Sequence, residues 1–340
     1  MLAQLQALNL PQLLPREQML EQMLTQVYGH LPPHPEVLTF TREPLNAPTF
    51  GGKASCTKVT ALCSLCGRDF SFPFHAVIPT APGRHPFFVH INFRPEVADY
   101  YQPIEEIIDS GFAVLSFDYN DVTRDDGDFT HGLAGVLFSG GSRAPADPGK
   151  IAMWAWAAHR VMDFAEKCGD ALDLDCAIVC GHSRLGKTAL LAAATDPRFA
   201  YAYANESGCS GAAISRGKSG ETVAHICRVF PYWFCENYQS WADREREMPF
   251  DQHYLVASIA PRKVLIGSAV MDGWACPPAE QLCCFAAAAA FETGFVCPPR
   301  MAEPGETFFD GHIGYHLRAG DHFFSREDWQ KLIRFVNLHR

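Results

Sequence analysis

The chain has 340 residues and a formal net charge of −10 at pH 7, from 28 Lys and Arg against 38 Asp and Glu. Hydrophobic residues make up 48% and charged residues 19%, which is typical of a globular protein and excludes a disordered chain or a coiled coil. The negative net charge and the absence of any run of Lys and Arg argue against nucleic acid as the main partner.

The beginning of the chain has no basic segment followed by an apolar core, so it does not resemble a secretory signal. No stretch of sequence reaches the roughly 18 apolar residues that a membrane span needs. Thirteen cysteines at irregular spacing predict free thiols rather than a disulfide framework. We therefore expect a cytoplasmic protein without a membrane partner, or a secreted one whose export signal has been removed.

Residues 1–48 are rich in Leu and Pro, and we expect an N-terminal helical extension, with a helix over Arg16–Tyr28. Residues 49–340 are expected to form one domain, because no linker or repeat divides them. The predicted strands are Lys58–Leu62, Phe70–Ile78, His85–Phe93, Phe112–Phe117, Leu172–Cys180, Phe199–Ala204 and Lys263–Ala269. The predicted helices are Ile104–Ser110, Ile151–Lys167, Lys187–Ala194 and Trp329–Asn337.

The repeated alternation of strands and helices predicts a three-layer α/β sandwich, a mostly parallel central sheet with helices on both faces. Two long insertions are expected, near residues 120–149 and 208–256. Cys63 and Cys66 have the spacing of half a zinc site, but no second pair matches them. They are interpreted as part of a hairpin turn, and no metal site is expected.

The segment that carries the clearest chemical signal runs from the apolar strand ending at Cys180 into Gly181-His-Ser183. A strand, a tight turn holding a serine and an immediate helix are typical of a nucleophile elbow. The helix N-terminus would place free N–H groups beside a developing oxyanion. The pattern departs from the usual G-x-S-x-G, because Leu185 stands where the second glycine is expected and Gly186 comes one residue later.

The same segment also matches a phosphate-binding loop, since Gly181 is followed after four residues by Gly186-Lys187-Thr188. The two interpretations differ in what the rest of the chain must supply. A nucleophilic serine needs a histidine base and an acid that orients it, whereas a phosphate loop needs neither. Candidates for both partners are present downstream, which favours the hydrolase interpretation.

The order Ser, acid, His is typical of α/β-hydrolases. Glu206 and Asp272 both follow predicted strands, and either could be the acid. The candidate bases near the C-terminus are His312, His316 and His322. His322 lies in a glycine-containing loop just before the final helix, where a catalytic histidine is expected, whereas His316 is expected to be structural.

Several of these segments together resemble the glucuronoyl esterase family, carbohydrate esterase family 15, over roughly residues 75–335. The matching segments are Gly181-His-Ser-Arg-Leu-Gly-Lys187, Asn205-Glu-Ser-Gly-Cys-Ser-Gly-Ala-Ala213, Pro249-Phe-Asp-Gln-His253, Ile259-Ala-Pro-Arg262, Asp272-Gly-Trp274 and Gly314-Tyr-His-Leu-Arg318 with Gly320-Asp-His322. The motif G-x-S-R-x-G-K accounts for the shifted glycine. The resemblance implies an α/β-hydrolase fold and cleavage of esters of 4-O-methyl-glucuronic acid.

By this resemblance, Ser183 is the nucleophile and His322 the base. Arg184 would stabilise the oxyanion through its backbone N–H and its guanidinium. Family members place the acid at the position of Glu206 or at that of Asp272, and this chain has both. The resemblance further implies that Lys187 binds sugar hydroxyls and that Trp274 forms an aromatic wall of the sugar site.

The function expected from the sequence is therefore a serine carboxylic-ester hydrolase acting on a small-molecule or oligosaccharide uronate ester, without cofactor or metal. An acetyl (xylan) esterase or another carbohydrate esterase would keep the same serine, acid and histidine. A non-catalytic uronate-binding relative is the third possibility, and the intact set of catalytic residue types argues against it.

Overall fold

A ten-stranded sheet runs through the computed structural model, which describes residues 2–45, 50–94 and 101–340. The strands are β1 Val37–Pro44, β2 Ala54–Leu65, β3 Arg68–Pro79, β4 His85–Asn92, β5 Ala113–Asp118, β6 Leu172–His182, β7 Tyr201–Asn205, β8 Lys263–Ala269, β9 Thr307–Phe308 and β10 Ile313–Arg318. The α-helices are α1 Leu2–Ala7, α2 Arg16–Met23, α3 Ile104–Asp109, α4 Tyr119–Val122, α5 Gly132–Leu137, α6 Lys150–Glu166, α7 Arg184–Thr195, α8 Val223–Val229, α9 His253–Ala257, α10 Pro277–Ala287 and α11 Arg326–His339.

The strand order across the sheet is β1-β2-β3-β5-β4-β6-β7-β8-β10-β9. The strands β5, β4, β6, β7, β8 and β10 are parallel, and the strands at the two ends are antiparallel. In the sheet, β4 lies between β5 and β6, so the chain runs from β4 to β5 on one side of β4 and then crosses to β6 on the other side of β4. This reversal of strand order opens a crevice at the carboxyl ends of the strands, where α/β proteins bind ligands.

Helices cover both faces of the parallel strands, and β4 shows why its sequence is continuously apolar. All eight of its residues are buried, as expected for a strand covered on both sides. Phe87 and Val89 belong to the same core as Trp154 of α6, whereas Phe88 packs at 5.2 Å from Trp329 of α11 on the opposite face. The predicted three-layer α/β sandwich is therefore confirmed.

The N-terminal part of the chain differs from the expected helical extension, because it also contributes β1 to the sheet. Val37–Pro44 pairs with β2 along its whole length. The expected boundary between residues 48 and 49 lies outside the described residues, and the domain organisation stays a prediction. The expected insertions near 120–149 and 208–256 carry short helices, α5 in the first, and α8 and α9 in the second. Within the described ranges, no helix combines the length and apolar character needed to cross a bilayer.

Candidate active site

Four of the candidate residues follow the carboxyl ends of neighbouring parallel strands. Ser183 comes directly after β6 and Glu206 directly after β7, while Asp272 follows β8 and His322 follows β10. Because the strands are parallel, all four side chains are brought to the same edge of the sheet. His312 precedes β10 and lies at the opposite edge, which separates it from the other candidates.

Ser183 occupies a strained turn between β6 and α7. Its backbone angles are φ 57° and ψ −125°, a region that non-glycine residues rarely adopt and that costs on the order of 1–3 kcal/mol. The Ser183 N–H donates to the carbonyl oxygen of Asn205 at 2.9 Å, which fixes the turn against the end of β7. This combination of strain and a following helix is the structure of a nucleophile elbow.

The two glycines of this turn are explained by close contacts. A Cβ added to Gly181 would lie 2.3 Å from the carbonyl oxygen of Leu185, so no side chain fits there. A Cβ at Gly186 would lie 3.1 Å from the Ser207 Cβ and 3.2 Å from the Asn205 carbonyl oxygen. The shifted glycine in the motif is therefore the residue at which α7 approaches the end of β7, and the buried Leu185 packs into the core.

His322 is held by a short hydrogen bond to Asp272. The two atoms, His322 Nδ1 and Asp272 Oδ2, are 2.6 Å apart, and Asp272 also accepts from the Ala275 N–H at 3.0 Å. Burial lowers the pKa of His322, but the hydrogen bonds and charges of Asp272 and Glu206 outweigh it and raise that pKa to about 9. Burial raises the pKa of Asp272, but the His322 bond brings it below its usual value.

Glu206 approaches the same imidazole nitrogen as Asp272, but its main partners are different. Its Oε2 is 3.2 Å from His322 Nδ1, and the same oxygen accepts from the Phe323 N–H at 2.9 Å. Its Oε1 accepts from Arg318 Nη2 at 2.6 Å. Burial raises the pKa of Glu206 to about 7, against the opposing effects of His322 and Arg318.

Arg318 ties the loop that carries His322 to the body of the protein. Its guanidinium donates to the carbonyl oxygens of Ala319, Asp321 and Phe323. It also forms a buried ion pair with Asp328, whose Oδ2 is 2.8 Å from Arg318 Nε. Since Asp328 belongs to the capping box of α11, the loop around His322 is fixed between β10 and the start of that helix.

Ser183, Glu206, Asp272 and His322 line one cavity of about 380 Å³. The remaining residues that line it include Arg184, Lys187, Ser207, Glu221, Phe230, Trp233, Met271 and Trp274. Lys187 is buried and its Nζ donates to the Ser207 carbonyl oxygen at 2.5 Å. Burial lowers the pKa of Lys187. Trp274 is 52% exposed at the rim and meets the His225 ring edge-on at 4.8 Å.

Arg184 is the first residue of α7 and projects into the same region. Its Nη1 forms an ion pair with Asp125, and its guanidinium lies 4.7 Å from the centre of the Trp233 ring. The Arg184 N–H is in the first helical turn, where no intrahelical acceptor is available. The structure thus brings together the seven residues of the expected site, whereas His312 and His316 do not line its cavity. The seven are Ser183, Arg184, Lys187, Glu206, Asp272, Trp274 and His322.

Comparison with known proteins adds a family match to this geometry. The sequence model of the family described as "Glucuronyl esterase, fungi" matches residues 64–294, which is more than half of the chain. The chain belongs to the glucuronoyl esterase family. The predicted family resemblance is confirmed, and the family match removes the phosphate-loop interpretation of Gly181–Thr188.

Relatives of the family are similar to this chain in both sequence and fold. Carbohydrate esterase MZ0003, from an unknown prokaryotic organism, is 39% identical over 241 residues, covering 69% of this chain and 55% of its own length. The 4-O-methyl-glucuronoyl methylesterase of Podospora anserina is 28% identical over 256 residues, covering 72% and 49%. The chain thus spans about half the length of these two curated relatives.

One solved structure of the family matches nearly the whole chain. It is a promiscuous esterase of carbohydrate esterase family 15 from the marine bacterial metagenome, 31% identical, with a TM-score of 0.85. The match covers 96% of this chain and 91% of that one. The predicted α/β-hydrolase fold is confirmed.

Two residues close to Ser183 and His322 were not singled out from the sequence. The His182 ring lies 4.4 Å from the His322 ring, and His182 Nδ1 is 2.7 Å from the Asn205 Oδ1. Burial, together with the nearby His322, lowers the pKa of His182 well below its usual value. Because His182 directly precedes Ser183 in the sequence, it could have been predicted to lie near the site, but the sequence analysis did not use this. Arg318 ends one of the segments that resemble the family, but nothing in the sequence indicated its role, because that role depends on a contact with Glu206, 112 residues away.

One group of side chains in the described part of the chain has distances that suit a metal ion. The nearest ligand atoms of His182, Glu206 and His322 lie within 4.8 Å of one another. Each of these residues already has a strong partner, respectively Asn205, Arg318 and Asp272. A cation placed there would also face the Arg318 guanidinium, and like charges repel. The absence of a metal requirement stays a prediction.

Proposed function

We propose that this chain is a serine carboxylic-ester hydrolase that cleaves esters of glucuronic acid through an acyl-enzyme. The observation that carries the proposal is the cavity that is lined by Ser183, on a nucleophile elbow, and by His322, with its hydrogen bond to Asp272. The names of the relatives support the substrate class, since several are 4-O-methyl-glucuronoyl methylesterases.

The first half-reaction forms the acyl-enzyme. Asp272 accepts from His322 Nδ1, which leaves Nε2 as the nitrogen that takes the proton of Ser183 Oγ. The oxygen attacks the carbonyl carbon at C6 of the uronic acid. The backbone N–H and guanidinium of Arg184 stabilise the oxyanion, and one such donor contributes about 3–4 kcal/mol. His322 then protonates the leaving alcohol.

The second half-reaction frees the uronic acid. His322 takes a proton from water, the resulting hydroxide attacks the acyl carbon, and Ser183 leaves with the proton that His322 returns. Apart from the ester and this water, the two half-reactions as proposed use only groups of the protein. In this proposal Lys187 binds sugar hydroxyls from the base of the cavity, and Trp274 packs against the sugar ring from the rim.

The proposed substrate class is tested by comparing benzyl glucuronate with p-nitrophenyl acetate. We expect hydrolysis of benzyl glucuronate with a much higher kcat/KM, because Lys187 and Trp274 contact only a substrate that carries the sugar. Faster cleavage of the acetate would make the chain an acetyl esterase with the same catalytic residues. Binding of glucuronate without turnover of either ester would make it a binding protein.

The pH dependence of kcat/KM follows from the pKa of His322. The base must be neutral to accept a proton, and its pKa is raised to about 9. Protonation as the pH falls through that value therefore removes activity, and kcat/KM should rise with pH with a midpoint well above the ordinary 6.5. Rates between pH 5 and 10, corrected for spontaneous ester hydrolysis, check this. A midpoint below 6.5 would contradict it.

We also propose a reducing, cytoplasmic location. All thirteen cysteines lie in the described residues and are free, which suits a compartment that keeps thiols reduced. The substrate met there would be a small uronate ester or oligosaccharide rather than a polymer. Fractionation of cells that make the protein from its native gene tests the location, and recovery from the medium would contradict it.

A further inference from the structure

The two long insertions of the chain meet at a single carboxylate next to the active site. Asp125, from the first insertion, accepts from the indole Nε1 of Trp233, in the second insertion, at 2.6 Å. Its backbone carbonyl accepts from the hydroxyl of Tyr232 at 3.2 Å. The carboxylate also accepts from Tyr119 at 3.0 Å and forms the ion pair with Arg184. Asp125 therefore connects both insertions to the residue that follows the nucleophile.

The segment that carries Asp125 is itself firmly anchored. The Asp125 N–H donates to the side chain of Asn120 at 3.0 Å. Two residues earlier in the chain, the carbonyl oxygen of Thr123 accepts from the indole of Trp154 in α6 at 3.0 Å. The buried Lys150 donates to the Thr123 hydroxyl at 2.9 Å and to the Asp128 carbonyl oxygen at 2.7 Å. The carboxylate is thus held at a fixed place relative to α6 and α7.

The guanidinium of Arg184 depends on this carboxylate for its orientation. In the described part of the chain, Asp125 is the side chain with which Arg184 forms an ion pair, and Arg184 Nε is buried without a hydrogen-bond partner. The other close neighbours are the rings of Trp233, Phe93 and Phe230, at 4.7 to 5.7 Å. Aromatic faces attract a cation but do not fix its rotation as a hydrogen-bonded carboxylate does.

We propose that Asp125 is a positioning residue, which orients the Arg184 guanidinium toward the oxyanion that forms on the ester carbonyl. The inference rests on the proposed function of the same cavity. It gives the first insertion a role in the reaction, because the insertion supplies the group that holds an oxyanion donor in place. Preorganised donors contribute to catalysis only while their geometry is kept.

Replacement of Asp125 by Asn tests the proposal, because Asn keeps the shape and the acceptor for Trp233 but loses the ion pair. We expect the D125N variant to lower kcat by about tenfold while KM changes little. The R184M variant should lower kcat by about 100-fold, and the double variant should be no slower than R184M. Asp128→Asn is the matched control, since that exposed carboxylate contacts Thr130 and His131.

The wild type and these four variants are also compared in the rate at which a fluorophosphonate labels Ser183, because labelling forms an oxyanion but needs no sugar. The positioning role is supported if D125N slows labelling in the wild-type background but has no further effect on labelling when R184M is already present. This holds even if benzyl glucuronate is not hydrolysed, and in that case only the proposed substrate is wrong. Three results would overturn the inference. The first is that the rate losses of D125N and R184M multiply in the double variant. The others are that D125N is as fast as wild type in both assays, or that the wild type is not labelled. Thermal unfolding of each variant separates a loss of fold from a loss of rate.

Discussion

The Ser183→Ala variant is expected to lose hydrolysis of benzyl glucuronate by at least about 10⁴-fold in kcat, since removal of a serine nucleophile costs up to about 10⁶-fold in a hydrolase with the same catalytic groups. The substitution removes the one oxygen that forms the acyl-enzyme. Alanine fits the space of serine, so the cavity should keep its shape. Ser183 already adopts a strained backbone, and alanine suffers the same strain, so the fold should be retained.

The measurement is single-turnover and steady-state hydrolysis by the wild type, Ser183→Ala and Ser240→Ala. Ser240 is a suitable control, because its hydroxyl lies in an exposed turn and donates to the Asn237 carbonyl oxygen. Binding of glucuronate to Ser183→Ala should persist, since the groups proposed to hold the sugar are unchanged. Substantial turnover by this variant would show that the chemistry does not pass through Ser183.

The buried centre of the fold was predictable because its strands are continuously apolar. The predicted strand Lys263–Ala269 has the same bounds as β8, and the predicted His85–Phe93 differs from β4 by one residue. β1 escaped prediction, since its residues are mostly exposed and its second half carries the polar side chains of Thr41, Arg42 and Glu43 before Pro44. An edge strand of this kind is held by pairing with β2, and a pairing partner leaves no periodic signal in the strand itself.

The sequence predicted the candidate residues of the site, but it could not predict which of them are in contact in the folded chain. The strand-serine-helix order identified Ser183, and the chain order of the catalytic residue types identified His322. The sequence could not choose between Glu206 and Asp272, because both follow parallel strands that end beside the histidine loop. Asp125 carried no signal, since its contact with Arg184 joins residues 59 positions apart through an insertion of irregular sequence.

The geometry around His322 distinguishes the two acids. Asp272 is 2.6 Å from Nδ1 and has hydrogen-bond geometry, whereas Glu206 is 3.2 Å away and is held mainly by Arg318 and the Phe323 N–H. We propose that Asp272 is the acid that orients the imidazole. Glu206 would instead fix the loop that carries His322 and add negative charge next to its Nδ1.

Asp272→Asn should therefore lower kcat by about 10⁴-fold, the loss seen when the acid of a catalytic triad becomes an amide and the histidine takes the wrong tautomer. Loss of the carboxylate charge should also lower the pKa of His322, so the remaining activity should rise with pH at a lower midpoint than in wild type. Rates and pH profiles of Asp272→Asn and Glu206→Gln, measured side by side with benzyl glucuronate, check both expectations.

Glu206→Gln should act mainly on stability. It weakens the buried pair with Arg318, and removal of one partner of such a pair costs about 3 kcal/mol at the lower end of the usual range. The lower end applies because Arg318 keeps its second carboxylate, Asp328. Urea unfolding measures this loss. If Glu206→Gln instead lost about 10⁴-fold in kcat at unchanged stability while Asp272→Asn kept most of its kcat, the assignment would be reversed. Equal partial losses of kcat in both variants would mean that both carboxylates orient the His322 imidazole. The shorter distance from Asp272 to Nδ1 would then not identify a single acid.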